Sequence, residues 1–139
     1  MHPAVLPAYL EFEEEMKRCG IDFVRACTYR SPEEQNELYA QGRTKPGRKV
    51  TWVTGGGSKH NYQLDGEPAS LAADYYPLIN GKLANNKTKE ELNQWYEMAK
   101  IAEELGISWG GRWKGGKVDF PHFEISDLDK FLKRKDSAK

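Results

Sequence analysis

The sequence predicts an α+β domain in which a small, mainly antiparallel sheet is packed with helices. Helical and strand-like segments alternate along the chain, the strands are few, and the turns between them are short. A parallel, doubly wound sheet would require repeated strand–helix crossovers, and the chain offers too few of them. With 139 residues, of which 38% are apolar, the chain suits one compact domain over residues 1–139.

The chain begins with a predicted helix and a predicted strand. Residues 4–18 are expected to be helical, and Gly20 ends this helix. Residues 21–28 alternate well enough to predict a strand. Leu6, Leu10, Glu13 and Met16 are spaced three or four positions apart, which is typical of a helix.

A second helix has the clearest local signal in the sequence. Ser31 can cap its N-terminus, Pro32 suits its first position, and Glu34 completes a capping box. Gly42 stops this helix. Residues 43–57 are rich in glycine, lysine and arginine, so they are predicted to form a loop.

The middle of the chain is predicted to contain a hairpin. Residues 70–76 are apolar and aromatic enough for a strand, which Pro77 is expected to end. Asn80 and Gly81 form a strong two-residue turn signal, so a returning strand is predicted from Leu83.

A third helix is predicted where Thr88 and Glu91 form another capping box, and Gly106 closes it. Its apolar face consists of Leu92, Trp95, Ala99, Ala102 and Leu105. The remaining predicted elements are short strands over residues 107–109 and 122–125 and a last helix opened by Ser126 and Asp129.

The charge balance and hydropathy exclude some classes of protein. The chain has 21 basic and 21 acidic residues, which argues against a protein that coats nucleic acid. Basic runs at residues 43–49 and 130–139 are predicted either to form a solvated loop and a frayed tail or to be weakly attracted to an anionic surface.

No apolar run approaches the roughly 20 residues that span a bilayer, so no stable membrane insertion is expected. The first 17 residues lack the pattern of a secretory signal.

Two histidines lie in segments that are difficult to explain by structure alone. His60 follows a glycine-rich stretch, and Asp74 lies inside an apolar strand, where an unpaired carboxylate is costly. His122 and Asp119 likewise interrupt an apolar stretch, whereas His2 is expected to be solvated at the N-terminus. Each residue alone could be a core histidine or a cap, but together they indicate a functional site.

Two imidazoles and one carboxylate are a suitable ligand set for a catalytic zinc ion, which keeps a fourth position open for water. A further carboxylate must reach that water to take its proton. Asp119, three residues before His122, could do so. The spacing alone leaves open which carboxylate binds metal and which acts as the base. Cys19 and Cys27 cannot form a four-thiolate zinc site, and two reduced thiols without an assigned function are expected.

Several short motifs follow one another along nearly the whole chain. They are Tyr29-Arg30-Ser31 with Gln35, Leu38, Tyr39, Gly42 and Arg43; Ser58-x-His60; Ala72-x-Asp74; Trp109-Gly110-Gly111-x-Trp113; and Asp119-x-x-His122-Phe123-Glu124. By these motifs the chain resembles the zinc D,D-peptidase-like cell-wall peptidases. The resemblance is to the L-alanyl-D-glutamate endopeptidases in particular, which occur as phage endolysins and bacterial wall hydrolases.

The resemblance implies a Hedgehog-like zinc peptidase fold and a role for each matching residue. His60, Asp74 and His122 match the ligands of one Zn²⁺ ion. Asp119 matches the catalytic acid/base, and Arg30 matches an arginine that faces the substrate and stabilises the oxyanion. Further residues implied at the substrate are Gln35, Arg43, Trp109 and Trp113, with a place in the core as the alternative for both tryptophans.

The chain departs from the family pattern between two of the implied ligands. Thirteen residues separate His60 from Asp74, and in much of the family this spacing is shorter. Residues 61–70 contain a good turn and are predicted to form an inserted hairpin or loop, in which Asp65 and Glu67 are alternative ligands. Arg112 could bind a substrate carboxylate or be a solvated loop residue.

The resemblance also implies a function. It implies a single catalytic domain, without a separate wall-binding domain, that hydrolyses the L-Ala–D-Glu bond of peptidoglycan stem peptides and lyses bacteria. Alternatives are a D-alanyl-D-alanine carboxypeptidase of the same family and an inactive peptidoglycan-binding module. We expect a monomer that is made in the cytoplasm without a signal peptide and acts on the cell wall after release, as phage lysins do.

Overall fold

The computed structural model describes residues 1–47, 57–114 and 118–137, and it confirms the predicted α+β class. The helices are α1 (Leu6–Arg18), α2 (Pro32–Ala40), α3 (Lys89–Glu104) and α4 (Leu128–Ser137). The strands are β1 (Phe23–Cys27), β2 (Gln63–Leu64), β3 (Glu67–Pro68), β4 (Ala72–Ile79), β5 (Lys82–Leu83), β6 (Ser108–Trp109) and β7 (His122–Glu124). Residues 48–56 of the predicted loop over residues 43–57 lie outside the described part of the chain.

The main sheet has the order β1–β4–β7–β6, and every neighbouring pair is antiparallel. The short strand β5 pairs with the far end of β4. Strands β2 and β3 form a separate ribbon around the Asp65-Gly66 turn, which confirms the hairpin predicted between His60 and Asp74.

The two faces of the sheet carry different residues because side chains alternate along each strand. Ala73 lies opposite Phe123 across β4 and β7, and both are completely buried on the side of the core. Their neighbours Asp74 and His122 also lie opposite each other and point to the other face. This alternation places the core on one face of the sheet and the polar residues on the other.

Helices α1 and α3 cover the core face. The phenol of Tyr9 in α1 donates a hydrogen bond to the carbonyl of Leu71, which ties this helix to the start of β4 (2.9 Å). The buried residues of the two helices are Tyr9, Phe12, Met16, Trp95, Met98, Ala99 and Ala102. Of the residues at helix-like steps in α1, Met16 is completely buried, whereas Leu6 and Leu10 are 38% and 49% exposed.

Two capping boxes, the hairpin turn and the end of α3 are confirmed. Ser31 and Thr88 both cap their helices through complete capping boxes. Asn80 and Gly81 both have positive φ angles, of 54° and 77°, as the two-residue hairpin turn requires. Gly106, with φ of 83°, ends α3.

Three local predictions were wrong. Strand β4 continues through Pro77, because the Pro77 carbonyl still accepts a hydrogen bond from the Ala84 amide and only the donor is lost. The last helix has Asp129 in its first turn, as predicted, but Ser126 does not cap it. The Asp127 carboxylate accepts from the Lys130 amide, and the Ser126 hydroxyl donates to Glu124. His2 is buried, and its Nδ1 accepts from the Ala4 amide.

The C-terminal basic run, the two cysteines and the expected absence of membrane spans were the other features considered in the sequence. Residues 130–137 of the C-terminal basic run are helical. Cys19 and Cys27 are both free thiols. Within the described ranges, none of the helices has the length and apolar character needed to cross a membrane.

Candidate metal centre

His60 is held by a short 3-10 turn, Lys59–Asn61. Ser58 caps this turn: its hydroxyl accepts from the His60 amide and its own amide donates to Asn61 Oδ1, both at 3.1 Å. The Asn61 side chain donates to the Arg30 carbonyl at 2.7 Å. The turn is therefore anchored to the segment that follows β1, and the His60 ring is buried.

Asp74 and His122 reach the same point from neighbouring strands. They form a directly opposed pair between β4 and β7, although 47 residues lie between them in the chain. Side chains opposed in this way lie close together on one face of a sheet. The antiparallel register therefore brings both residues to the His60 ring.

Three donor atoms converge at this point. His60 Nε2 lies 3.0 Å from Asp74 Oδ1 and 3.2 Å from His122 Nδ1, and His122 Nδ1 lies 3.7 Å from Asp74 Oδ1. Ligands about 2.1 Å from a tetrahedral zinc ion stand roughly 3.4 Å apart. The three donors therefore fit one such ion, and among the described residues they form the group that could hold a metal.

The second nitrogen of each ring has its own partner. His60 Nδ1 lies 2.7 Å from the Thr28 carbonyl, and His122 Nε2 lies 2.8 Å from Glu124 Oε1. Because carbonyl and carboxylate oxygens accept, each of these nitrogens carries the hydrogen and donates it. The remaining lone pairs, on His60 Nε2 and His122 Nδ1, are those that face Asp74, as metal binding requires.

The pKa of His60 is raised and that of Glu124 is lowered, and both shifts favour the more positively charged or less protonated form that a carboxylate–imidazole contact stabilises. Burial lowers the pKa of His60, but hydrogen bonds to Asp74, Cys27 and Thr28 together with the Asp74 charge outweigh it and raise the pKa to about 10. Burial raises the pKa of Glu124, but hydrogen bonds from His122 and Ser126 outweigh it and lower the pKa. A metal ion must displace the proton from His60, so acid is expected to weaken metal binding.

Asp119 lies beside the three donors, in the segment before β7. Its amide donates to the Gly110 carbonyl (3.0 Å), and its carbonyl accepts from the His122 amide (3.2 Å). A Cβ atom on Gly110 would lie 2.3 Å from the Asp119 carbonyl oxygen, so only glycine permits this approach. Burial, reinforced by the Asp74 charge, raises the pKa of Asp119 against the opposing effects of nearby cationic groups. A carboxyl group with a raised pKa is suited to proton transfer.

Arg30 lies on the other side of Asp74. Its Nη2 is 3.5 Å from Asp74 Oδ2, and its Nη1 donates to Gln35 Oε1 at 2.8 Å. Gln35 is completely buried, and its contact with substrate stays a prediction. Its observed contact is with Arg30, whose guanidinium it positions.

The two tryptophans predicted at the cleft have different places. Trp113 lines the cleft, with its ring centre 4.9 Å from that of His122. Trp109 is 2% exposed, stacks against Trp95 and donates its indole N–H to the Phe120 carbonyl. Trp109 is therefore part of the core, which is the alternative that the sequence left open for it.

The other candidate residues lie away from the three donors. The Arg43 guanidinium stacks on the Tyr39 ring at 3.8 Å, and its contact with substrate stays a prediction. Arg112 pairs with Glu103 at 2.9 Å. Asp65 and Glu67 are exposed on the β2–β3 hairpin, which leaves Asp74 as the carboxylate among the three donors.

The cleft itself has a volume of about 430 Å³. Its described lining includes residues to which the sequence analysis gave no role at the site: Leu38, Lys59, Tyr76 and Glu124. Tyr76 follows Asp74 by two residues on β4, and Glu124 follows His122 by two on β7, so each shares a face with a predicted ligand. The period of two along a strand was the signal that could have identified both.

Sequence comparisons connect this geometry with known proteins. A family model described as D-alanyl-D-alanine carboxypeptidase matches residues 53–125. The peptidoglycan L-alanyl-D-glutamate endopeptidase CwlK of Bacillus subtilis (strain 168) is 38% identical over 125 residues, which are 90% of this chain and 73% of that protein.

Comparison with solved structures shows the same fold at low sequence identity. The LD-carboxypeptidase LdcB matches with a TM-score of 0.59 and 18% identity, over 99% of this chain and 71% of that one. The vancomycin-resistance D,D-pentapeptidase VanY, solved as a variant in complex with Zn(II), matches with a TM-score of 0.61 and 13% identity. That match covers 94% of this chain and 75% of the VanY chain.

Proposed function

Because this chain belongs to the peptidase family described as D-alanyl-D-alanine carboxypeptidase, we propose that it is a zinc peptidase that hydrolyses the L-Ala–D-Glu bond of peptidoglycan stem peptides. The family supports a peptidase, and the CwlK relative supports the bond. The observation that carries the proposal is the convergence of His60, Asp74 and His122 in one cleft with Asp119.

The chain offers a complete set of groups for holding the metal. His60, Asp74 and His122 would bind it, and Thr28 and Glu124 fix the two rings in the orientation that binding requires. When bound, zinc supplies a Lewis acid that polarises a carbonyl group and makes water more acidic.

The remaining chemistry falls to residues of the chain. The Asp119 carboxylate takes a proton from the attacking water and returns it to the leaving amine, for which its raised pKa is suited. Arg30, held by Gln35, donates hydrogen bonds to the oxygen on which negative charge develops. Trp113 provides an aromatic wall beside His122, against which the peptide is placed.

Digestion of purified peptidoglycan tests the proposal directly. With zinc supplied, mass analysis of the products is expected to show stem peptides that begin with D-glutamate and sugar strands that retain L-alanine. The same protein treated with a chelator is expected to release neither product. Intact stem peptides after digestion with zinc would contradict the proposal.

The family description favours one alternative, a D-alanyl-D-alanine carboxypeptidase. The same mass analysis separates the two activities, because a carboxypeptidase releases free D-alanine and leaves the L-Ala–D-Glu bond intact.

We also propose that the protein acts as a monomeric, bacteriolytic endolysin of the phage type that is made in the cytoplasm and reaches the wall after release. The motifs shared with wall-lytic endopeptidases support this. Light scattering is expected to give the mass of one chain. The turbidity of permeabilised bacteria is expected to fall when the protein is added with zinc, but not when the chelator-treated protein is added. Lysis by the protein expressed alone, without a membrane lesion, would contradict the proposed route.

A further inference from the structure

Lys59 occupies a fixed position beside the metal centre. It precedes His60 in the 3-10 turn, and its carbonyl accepts from the Leu71 amide at 3.0 Å. Because the backbone is held on both sides of the residue, the Lys59 side chain starts from a defined point. It lines the cleft and is only partly exposed.

Two cationic side chains line the described part of the cleft, and their surroundings differ. Arg30 contacts Asp74 and Gln35. The charge of Lys59 contributes to the lowered pKa of Glu124, but Lys59 forms no ion pair or side-chain hydrogen bond with any described residue, although three carboxylates line the same cleft. Two of the three have other partners, because Asp74 faces His60 and Arg30 and Glu124 accepts from His122 and Ser126, while Asp119 is the third. Lys59 is therefore a cation available to a ligand.

The proposed substrate has a group that this cation would recognise. Glutamate has two carboxyl groups, and a peptide that continues through one leaves the other either as a free carboxylate or as an amide. An ammonium group in a partly buried cleft distinguishes these forms strongly, since only the carboxylate supplies a compensating charge.

We propose that Lys59 binds the free carboxylate of the D-glutamyl residue and thereby makes the enzyme select stem peptides in which this group is not amidated. The inference rests on the proposed function. It makes Lys59 a specificity-determining residue, distinct from the metal ligands and from Asp119.

Two synthetic peptides test this inference. Both contain the L-Ala–D-Glu bond and differ only in that the side carboxylate is free in one and amidated in the other. The wild-type enzyme is expected to cleave the free form with a kcat/KM about tenfold higher. Lys59→Met is expected to remove this preference by lowering kcat/KM for the free form to that of the amide, and Lys59→Arg is expected to retain part of it.

The exposed Lys87 provides a matched control, because Lys87→Met removes the same charge away from the cleft. This variant is expected to keep the tenfold preference. Equal kcat/KM values for the two peptides with the wild type, or an unchanged preference in Lys59→Met, would overturn the inference while leaving the proposed function intact. Cleavage of neither peptide by the wild type would overturn the proposed function and this inference with it.

Discussion

On one face of the central sheet, Tyr75 and Phe123 pack in an aromatic cluster, with ring centres 5.8 Å apart. On the other face, Asp74 and His122, each one residue away along the same strands, point into the cleft. The first face stabilises the fold, because its apolar side chains are removed from water. The second holds buried polar groups that require partners. The same two strands thus serve stability and chemistry through alternate residues, and substitutions can separate the two.

The largest expected effect is on the cleft face, at Asp119. Asp119→Asn removes the proton acceptor with almost no change in shape, and a loss of about 10²- to 10⁴-fold in kcat is expected. Metal content and the free energy of unfolding are expected to stay near those of the wild type, measured by elemental analysis and denaturant titration. Full activity in this variant would remove Asp119 from the mechanism.

The next largest effect is expected on the core face. Phe123 is completely buried, so Phe123→Ala should lower the free energy of unfolding by about 3–5 kcal/mol. Urea denaturation measures this loss. Leu83→Ala is the control, because Leu83 is 55% exposed and its truncation should cost less than about 0.5 kcal/mol. A small loss for Phe123→Ala would mean that the helices do not depend on this face of the sheet.

A smaller effect is expected at Glu124, which acts through His122. Glu124→Ala removes the acceptor that orients the imidazole, and a loss of about 10- to 100-fold in zinc affinity is expected. Competition with a chromophoric chelator measures the affinity without reference to activity. Glu124→Gln retains an acceptor oxygen and is expected to recover part of the loss, whereas an unchanged affinity in Glu124→Ala would show that the contact does not position the ring.

The smallest effect is expected at Gln35. Gln35→Leu removes the acceptor that positions Arg30, so kcat should fall by about tenfold or less while KM changes little, because the contact matters for charge that develops during the reaction. Steady-state kinetics on a defined peptide measures both constants. Gln35→Glu keeps an acceptor at this position and is expected to lose less. A rise in KM alone would indicate that Arg30 binds the ground state.

Signals that act within a few residues made much of the fold predictable. The capping boxes at Ser31 and Thr88 and the Asn80-Gly81 turn each depend on contacts between near neighbours in the chain. Pro77 did not end its strand, although proline lacks the amide hydrogen. Whether a strand tolerates this loss depends on its pairing with residues elsewhere in the chain, and here the Pro77 carbonyl still accepts from the Ala84 amide.

The site was predictable in its residue types and less so in the directions of side chains. His60, Asp74 and His122 stand out in the sequence because polar groups interrupt apolar segments. Trp109 and Trp113 look alike in the sequence, but the Gly110–Arg112 turn between them sends one into the core and the other to the cleft. The burial of Gln35 depends on the packing of α2 and has no local signature.

The hairpin between His60 and Asp74 begins and ends at almost the same place. The Leu71 amide reaches the Lys59 carbonyl at 3.0 Å, and the Ala69 amide reaches the Tyr62 carbonyl at the same distance, so the ribbon is closed at its base. His60 and Asp74 are thereby kept in the same relative position, whatever the length of the hairpin between them. The Asp65-Gly66 tip is accordingly a point where a foreign peptide, such as an affinity tag or a targeting module, can be grafted without disturbing catalysis.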